Sequence, residues 1–244
     1  MPRVVADAIG KVWGLRAPDG VIALARDSWS SVIEHGVRAA ITESWAFNDP
    51  DGAIAYLDSP SKDHATTQAY RRDFAEALAR FDPARAADYA TTHGFMNAHT
   101  GSFIYFGWIQ GDVEGALNAA TNIELPSLKS WIYGRAAEHY AAREPERSIE
   151  LLQSIESTTR RRQGFTEVAE TIAQVQPKQV AAVASTIASD FDRAVFLRDA
   201  VGGWKAEKIQ WNRVDLTWMQ DLDESSRSIL EQAIRLHAPN LDAT

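Results

Sequence analysis

The sequence predicts an all-α protein, a right-handed α-solenoid of about seven two-helix repeats of roughly 32 residues with a C-terminal capping helix. The first observation behind this prediction is a register in which a proline, or a residue in its place, recurs every 30 to 33 residues. Recurrence at such a period is typical of helical repeat proteins. Residues 1–244 are therefore expected to form a single repeat domain. The register positions are Pro18, Pro50, Pro83, Val113, Pro145, Pro177 and Ile209.

The second observation is a pair of apolar columns that precede the register position. Large apolar residues stand five positions before it, and further apolar residues stand nine positions before it from the second repeat onward. Positions four apart share one face of a helix, so each repeat is expected to begin with a helix that buries this face. The bulky column is Trp13, Trp45, Leu78, Trp108, Tyr140, Ile172 and Trp204, and the second column is Ile41, Phe74, Ile104, Ala136, Val168 and Ala200.

The third observation is the residue pair at the register position, which is expected to end one helix and begin the next. Proline suits the first helical turn because its φ is fixed and its missing N–H has no partner there. The residue before a proline is disfavoured in a helix, which ends the preceding one. Asp49, Asp82 and Asp112 hold that place and are expected to cap the second helix with their carboxylates. Apolar residues three, four, six and seven positions later predict that the second helix is amphipathic.

These signals place the helices and the two ends of the chain. The first helices are expected near 29–46, 66–81, 97–110, 127–142, 160–174 and 191–206, with a shorter one near 3–15 and with Ser127 as one of the caps. A C-terminal cap is expected at about 211–240, because the proline is lost at Ile209 and an amphipathic segment runs to His237. The first repeat lacks a polar lid, so its apolar edge is expected to continue into a longer solenoid or to meet a partner.

Composition narrows the classes of function. The chain has a net charge of −8 and is acidic in both halves, which makes nucleic-acid binding an unfavoured prediction. It has no cysteine, which excludes disulfides and thiolate chemistry. No apolar run approaches the roughly 18 residues of a membrane span. The compartment stays open between the cytoplasm and export after removal of a signal segment, and no oligomeric state is predicted.

One stretch of the second repeat carries a resemblance to known proteins. Residues 45–54 read WAFNDPDGAI, which resembles the W-A-x-x-D-P-x-x-A-L helical repeats of many bacterial proteins of uncharacterised function. The resemblance covers almost the whole chain and implies a HEAT-like or TPR-like fold without a known activity. Tetratricopeptide repeats have a similar unit of about 34 residues, but their proline ends the second helix. HEAT-like repeats share an acidic residue and a following arginine, as in Asp82/Arg85 and Glu144/Arg147.

No catalytic or metal-binding set is predicted, and no cofactor is expected. His93 and His99 stand six apart, which does not place them on one helix face, and no cysteine or Glu-x-x-His spacing completes a metal site. The Asp49/Asp51 pair could suggest a glycosidase dyad, but Asp49 already has a capping role. The pair Gly202-Gly203 is expected to permit close helix packing or a kink.

Arginines and tyrosines of the first helices are the candidate binding residues. If these helices line a concave face, their arginines are expected to form a partly basic inner groove. Tyrosine anchors interfaces disproportionately, although burial between repeats is the alternative for each ring. The basic run 160–162 is open to two interpretations, a contact with an acidic partner or phosphate, or a solvated loop. The candidate residues are Arg38, Tyr70, Arg71, Tyr105, Tyr133, Arg135 and Arg198.

The leading hypothesis from the sequence is a noncatalytic scaffold whose concave face binds a protein or peptide. It depends on the repeated hairpins and on the lack of an assembled catalytic set in the sequence. One alternative is a HEAT-like nucleic-acid-binding or DNA-glycosylase-like module. Another is a structural spacer within a larger bacterial assembly.

The substitution Trp108→Ala tests the bulky column. We expect a loss of about 3–5 kcal/mol in the free energy of unfolding, because a large aromatic side chain is removed from the core between helices. Chemical denaturation followed by circular dichroism measures this loss. A variant with unchanged stability would show that the column does not form the core.

Overall fold

The computed structural model describes residues 31–59, 64–206 and 223–237, and singly Val12, Gly20 and Gln220. Within these residues the chain forms twelve α-helices, one 3-10 turn and no strand, so the all-α prediction is confirmed. The predicted features at Trp13, Pro18 and Ile209 lie outside the described residues, as does the side chain of Trp204.

The helices follow the predicted alternation of a longer first helix and a shorter second one. The first helices begin and end within three residues of the positions predicted from the register. The bounds are α1 Ser31–Asn48, α2 Pro50–Leu57, α3 His64–Leu78, α4 Pro83–Thr92, α5 Ala98–Gly111, α6 Val113–Ala120, α7 Pro126–Ala141, α8 Pro145–Gln153, α9 Thr158–Val175, α10 Val180–Ser185, α11 Asp190–Ala206 and α12 Glu224–His237.

The chain divides into two compact units, residues 1–119 and residues 120–244. In unit 1, α1 packs against α2 and α3, and α3 packs against α4 and α5, so the first helices α1, α3 and α5 lie side by side. In unit 2, α7 packs against α8 and α9, and α9 packs against α11. The last described helix, α12, packs against α11, inside the range predicted for the C-terminal cap.

Aspartate caps begin three of the second helices, as predicted. Asp49 Oδ1 accepts a hydrogen bond from the Gly52 N–H at 2.9 Å, and Asp82 Oδ1 accepts one from the Arg85 N–H at 3.1 Å. Asp112 Oδ1 does the same for Gly115 at 2.9 Å, although Val113 replaces the proline there. The carboxylate therefore starts the helix even where the fixed φ of proline is missing.

Two predicted helix starts differ from the structure. At Pro177 the chain forms a 3-10 turn over Pro177–Gln179 before α10 begins, because Gln176 does not cap the helix. Its Nε2 instead donates to the Ala142 carbonyl at 2.7 Å. The prediction of Ser127 as a cap is wrong, because α7 already begins at Pro126, which places Ser127 inside the first turn.

The two apolar columns form the core. Every described side chain in them is buried, including the bulky members Trp45, Leu78 and Trp108. The Trp108 ring stacks on Tyr105 with the ring centroids 5.3 Å apart. Burial of these columns confirms that their four-residue spacing marks one face of each first helix.

Close packing between α9 and α11 explains the Gly202-Gly203 pair. A Cβ added at Gly203 would lie 2.8 Å from the Glu170 Cα on α9, whereas one added at Gly202 would have no heavy atom within 4 Å. The backbones of the two helices therefore approach so closely that only glycine fits at Gly203. Of the two sequence interpretations, close packing accounts for Gly203.

The neighbouring glycines give a matched test of this packing. We expect Gly203→Ala to destabilise the protein by about 1–3 kcal/mol, because α9 and α11 must move apart. We expect Gly202→Ala to be neutral or to stabilise it by about 0.5–1 kcal/mol, because alanine is the better helix former. Urea unfolding of both variants measures the difference, and equal effects would contradict the close approach.

Candidate interaction face

Each first helix presents a second face on the side opposite its buried columns. Positions 14, 10, 7 and 3 before the register position follow the three- and four-residue spacing that places side chains in one row of a helix. We call these rows the unit 1 face on α1, α3 and α5, and the unit 2 face on α7, α9 and α11. Apart from Ala40 and Val195, the described side chains at these positions are exposed or half-buried.

The unit 1 face combines ion pairs with exposed aromatic rings. Arg80, two residues after the end of α3, donates to Glu43 of α1, with 2.9 Å between Nη1 and Oε1. On α5, the Phe103 and Phe106 side chains are 56% and 55% exposed. The His99 ring meets the Phe103 ring edge-on with their centroids 5.0 Å apart. Two large apolar side chains thus stand in solvent beside a charged row.

Phe47 adds an exposed ring to the unit 1 face, and Glu76 adds an acidic group. The exposed ring of Phe47 contacts that of Phe81, with their centroids 5.3 Å apart. Burial raises the pKa of the Glu76 carboxyl, and the neighbouring Asp73 carboxylate raises it further, while the His99 imidazole opposes the change. The face therefore has apolar groups at α1 and α5 with acidic groups between them.

A chain of polar contacts crosses the unit 2 face from α7 to α9. Arg135 Nη1 donates to Glu138 Oε2 at 2.5 Å, and the Arg135 guanidinium lies 5.9 Å from the Trp131 ring centroid. Glu138 also forms a hydrogen bond with Glu167 of α9. The Gln163 amide donates to Glu167 at 3.3 Å. At the centre of the face, one arginine thus contacts Glu138, which in turn contacts Glu167.

The carboxyl groups of Glu138 and Glu167 lie next to each other, and both side chains are half-buried. Burial raises the pKa of Glu138 to about 8, and the hydrogen bond with Glu167 and the repulsion from its charge act in the same direction. The Arg135 guanidinium opposes this change but does not cancel it. The pair of carboxyl groups therefore holds a proton more readily than a free carboxyl group does, and Arg135 balances the negative charge that remains.

The contacts continue to α11 through a threonine and an aspartate. Thr166 Oγ1 donates to Asp199 Oδ2 at 2.6 Å. The neighbouring Arg198 donates through Nε to Asp199 Oδ1 at 2.6 Å. The carboxylate of Asp199 therefore binds its own cation on α11 and a hydroxyl of α9 at the same time.

Each of the four candidate arginines is paired with a carboxylate, so none of them supplies an uncompensated positive charge to the expected groove. Three of the partners lie on the same helix or on the neighbouring first helix, and the Asp58 partner of Arg71 follows α2. Arg71 also donates to the Leu57 carbonyl at 2.9 Å. The pairs are Arg38 with Asp73, Arg71 with Asp58, Arg135 with Glu138 and Arg198 with Asp199.

The three candidate tyrosines separate into two groups. Tyr70 and Tyr105 are 3% and 2% exposed, so they belong to the core and supply no surface for a groove. Their burial raises the pKa of each phenol to about 12. Tyr133 is half-buried and lines a cavity of about 390 Å³ in unit 2, between the start of α7 and the loop 154–157.

Several residues of the two faces carried weaker signals in the sequence. Phe103 and Trp131 are aromatic residues outside the bulky column, but their exposure depends on how the helices pack. The acidic pair Glu138 and Glu167 stands 29 residues apart in the chain, so no local motif joins its members. A search for acidic residues within one helical turn of equivalent positions on neighbouring first helices would have found it.

The composition of the two faces limits the kinds of group that they suit. Among the described residues, no three His, Asp or Glu side chains converge to hold a metal ion. None of the described helices is both long enough and apolar enough to cross a membrane. Carboxylates in excess of free cations, beside exposed aromatic rings, are suited to lysine or arginine side chains.

No protein family, curated protein or solved structure matches this chain. A function is therefore inferred from its own residues.

The raised pKa of Glu138 predicts a specific pH dependence of stability. The folded state holds this proton up to about pH 8, whereas the ordinary carboxyl value is 4.5. Below pH 4.5 both states are protonated, and the stabilising contribution is lost as the pH rises through about 8. We expect Glu138→Gln, which keeps a donor towards Glu167, to reduce this loss.

Melting temperatures measured across this pH range test the expectation. The control is Glu146→Gln on α8, where the side chain is exposed. The control is expected to keep the pH profile of the unmodified protein. If Glu138→Gln also kept that profile, the proton would not reside on Glu138.

Proposed function

We propose that this chain is a noncatalytic scaffold that binds a protein or peptide on a concave face formed by its first helices. In this proposal the seven repeats continue as one right-handed α-solenoid, with α12 as part of the C-terminal cap. The side-by-side packing of first helices within each unit supports the repeat arrangement. A repeat in such a scaffold buries its apolar face against its neighbours and leaves the other face for a ligand.

The observation that carries the proposal is the composition of the two faces. On the unit 1 face, two solvent-exposed phenylalanines lie on α5, beside a row whose acidic groups outnumber its cations. The unit 2 face repeats this combination with Trp131 and the carboxyl groups of α9 and α11. Exposed aromatic clusters are typical of binding surfaces. The acidic surplus favours a partner that presents basic and apolar side chains together.

The composition of the two faces fits the two alternative functions, nucleic-acid binding and a structural spacer, less well. A nucleic-acid-binding or DNA-glycosylase-like module needs cations that are free to neutralise phosphates. Here Arg38, Arg135 and Arg198 are already neutralised by carboxylates. A structural spacer gives no reason for exposed rings at Phe103 and Phe106. A basic, partly apolar peptide segment therefore fits best.

A displayed random-peptide library, selected against the full chain, tests the proposal. We expect the selected peptides to combine lysine or arginine with large apolar residues. The double variant Phe103→Ser/Phe106→Ser and the charge reversal Glu170→Lys are each expected to weaken binding by about tenfold or more, equivalent to about 1.4 kcal/mol. Calorimetric titration of a selected peptide measures the loss.

Matched controls lie away from the two faces. Val175→Ser removes an exposed apolar side chain, and Glu146→Lys reverses an exposed charge on α8. Both are expected to leave peptide binding unchanged. Selected peptides that bound the face variants and the controls equally well would contradict the proposal.

A further inference from the structure

Two successive junctions of unit 2 share an arginine latch. Arg161 and Arg193 each stand 16 residues before the register position of their repeat. Arg161 Nη1 donates to the Ile155 carbonyl at 2.9 Å, and Arg193 Nη1 donates to the Ile187 carbonyl at 3.4 Å. In both cases the acceptor lies six residues earlier in the chain. The latch thus ties the loop before a first helix to the first turns of that helix.

Each latch arginine also binds a carboxylate. Arg161 Nε lies 2.7 Å from Oδ2 of Asp192, a residue that is only 3% exposed. Arg193 pairs with Asp190 and, at 3.9 Å, with Asp223. At both junctions, a carboxylate of the protein therefore balances the charge of the latch arginine.

The preceding junction, at the start of α7, has no such carboxylate beside its cation among the described residues. Lys129 holds the position of the latch arginine, 16 residues before Pro145, and Arg160 stands where the repeat register would place the counterpart of Asp192. Lys129 Nζ donates to the Thr121 carbonyl at 3.2 Å. In the part of the chain that the structure describes, no carboxylate oxygen lies within 4.0 Å of Lys129 Nζ.

An open cavity of about 390 Å³ occupies this junction. Its apolar walls include Ile123, Ile155 and the ring of Tyr133, whose centroid lies 5.9 Å from Lys129 Nζ. Glu124 and Glu156 also line it, and neither has an ion-pair partner among the described residues. The cavity thus presents one unpaired cation and two unpaired carboxylates that lie too far apart to pair with each other.

We propose that this cavity binds a zwitterionic small molecule of the amino-acid class. The ligand carboxylate binds Lys129 in the role that Asp192 has at Arg161. The ligand ammonium group binds Glu124 and Glu156, and an apolar side chain packs against Tyr133 and Ile155. The volume is that of a small-molecule site. Binding of such a molecule is a further function beside the proposed peptide binding, and it uses residues outside the two faces.

Other ligand classes fit the cavity less well. A simple anion would meet Lys129 but also two carboxylates, and a simple cation would meet the carboxylates but also the lysine ammonium. Leaving a charged group of the site without its counterpart weakens binding. A ligand with both charges and an apolar group satisfies all three kinds of lining residue.

Calorimetric titration of the full chain at neutral pH with L-leucine and L-phenylalanine tests the proposal. At least one is expected to give saturable binding. The N-acetylated amino acid and the corresponding decarboxylated amine, which each lack one charge, are expected to bind about tenfold more weakly or not at all. If neither amino acid bound, or if either single-charge analogue bound as well, the proposal would be overturned.

Two variants locate the binding. Lys129→Gln removes the cation and Glu156→Gln removes one carboxylate, and each is expected to weaken binding by about tenfold. Lys178→Gln, at an exposed position in the 3-10 turn, is the matched control and is expected to bind normally. Melting curves verify that the variants fold. Binding that survived both cavity substitutions, or failed equally in the control, would place the ligand elsewhere.

Discussion

The junction between the two helices of a repeat is the constraint on which the rest of the structure depends. In three repeats an aspartate carboxylate accepts a backbone N–H at the start of the second helix, and in two of them the aspartate is followed by a proline, which a helix interior does not tolerate. The first helix must therefore end there, and its buried face is set at a fixed distance from its end. Because the junction recurs at a nearly constant interval, the buried faces of successive first helices meet, as Trp45 of α1 and Tyr70 of α3 do at 6.3 Å between ring centroids.

The same interval decides which charges can meet. Ion pairs between neighbouring repeats join residues about one repeat apart, such as Arg38 with Asp73, 35 residues apart, and Arg161 with Asp192, 31 residues apart. Each pair lies next to buried side chains, which limits the access of water and strengthens the attraction relative to a fully exposed pair. The register thus organises both the core and the charged rows above it.

Local patterns in the sequence predicted the helices and three caps, because helix starts and ends depend on residues that are close in the chain. They did not predict the contact of Glu138 with Glu167, and they left the burial of Tyr105 as one of two alternatives, because both depend on the rotation and spacing of neighbouring helices. Gly203 lies between these cases. Its pairing with Gly202 indicated close packing, but only the approach of Glu170 on α9 shows which of the two glycines requires it.

A cationic partner that approaches a paired carboxylate of either face must compete with the arginine that already binds it. A lysine that reaches Glu138 or Asp199 meets a carboxylate already bound by Arg135 or Arg198, so binding exchanges one ion pair for another instead of creating a new one. The net electrostatic gain from such an exchange is small. In the proposed binding mode, selectivity would then depend on the fit of apolar groups to the exposed rings.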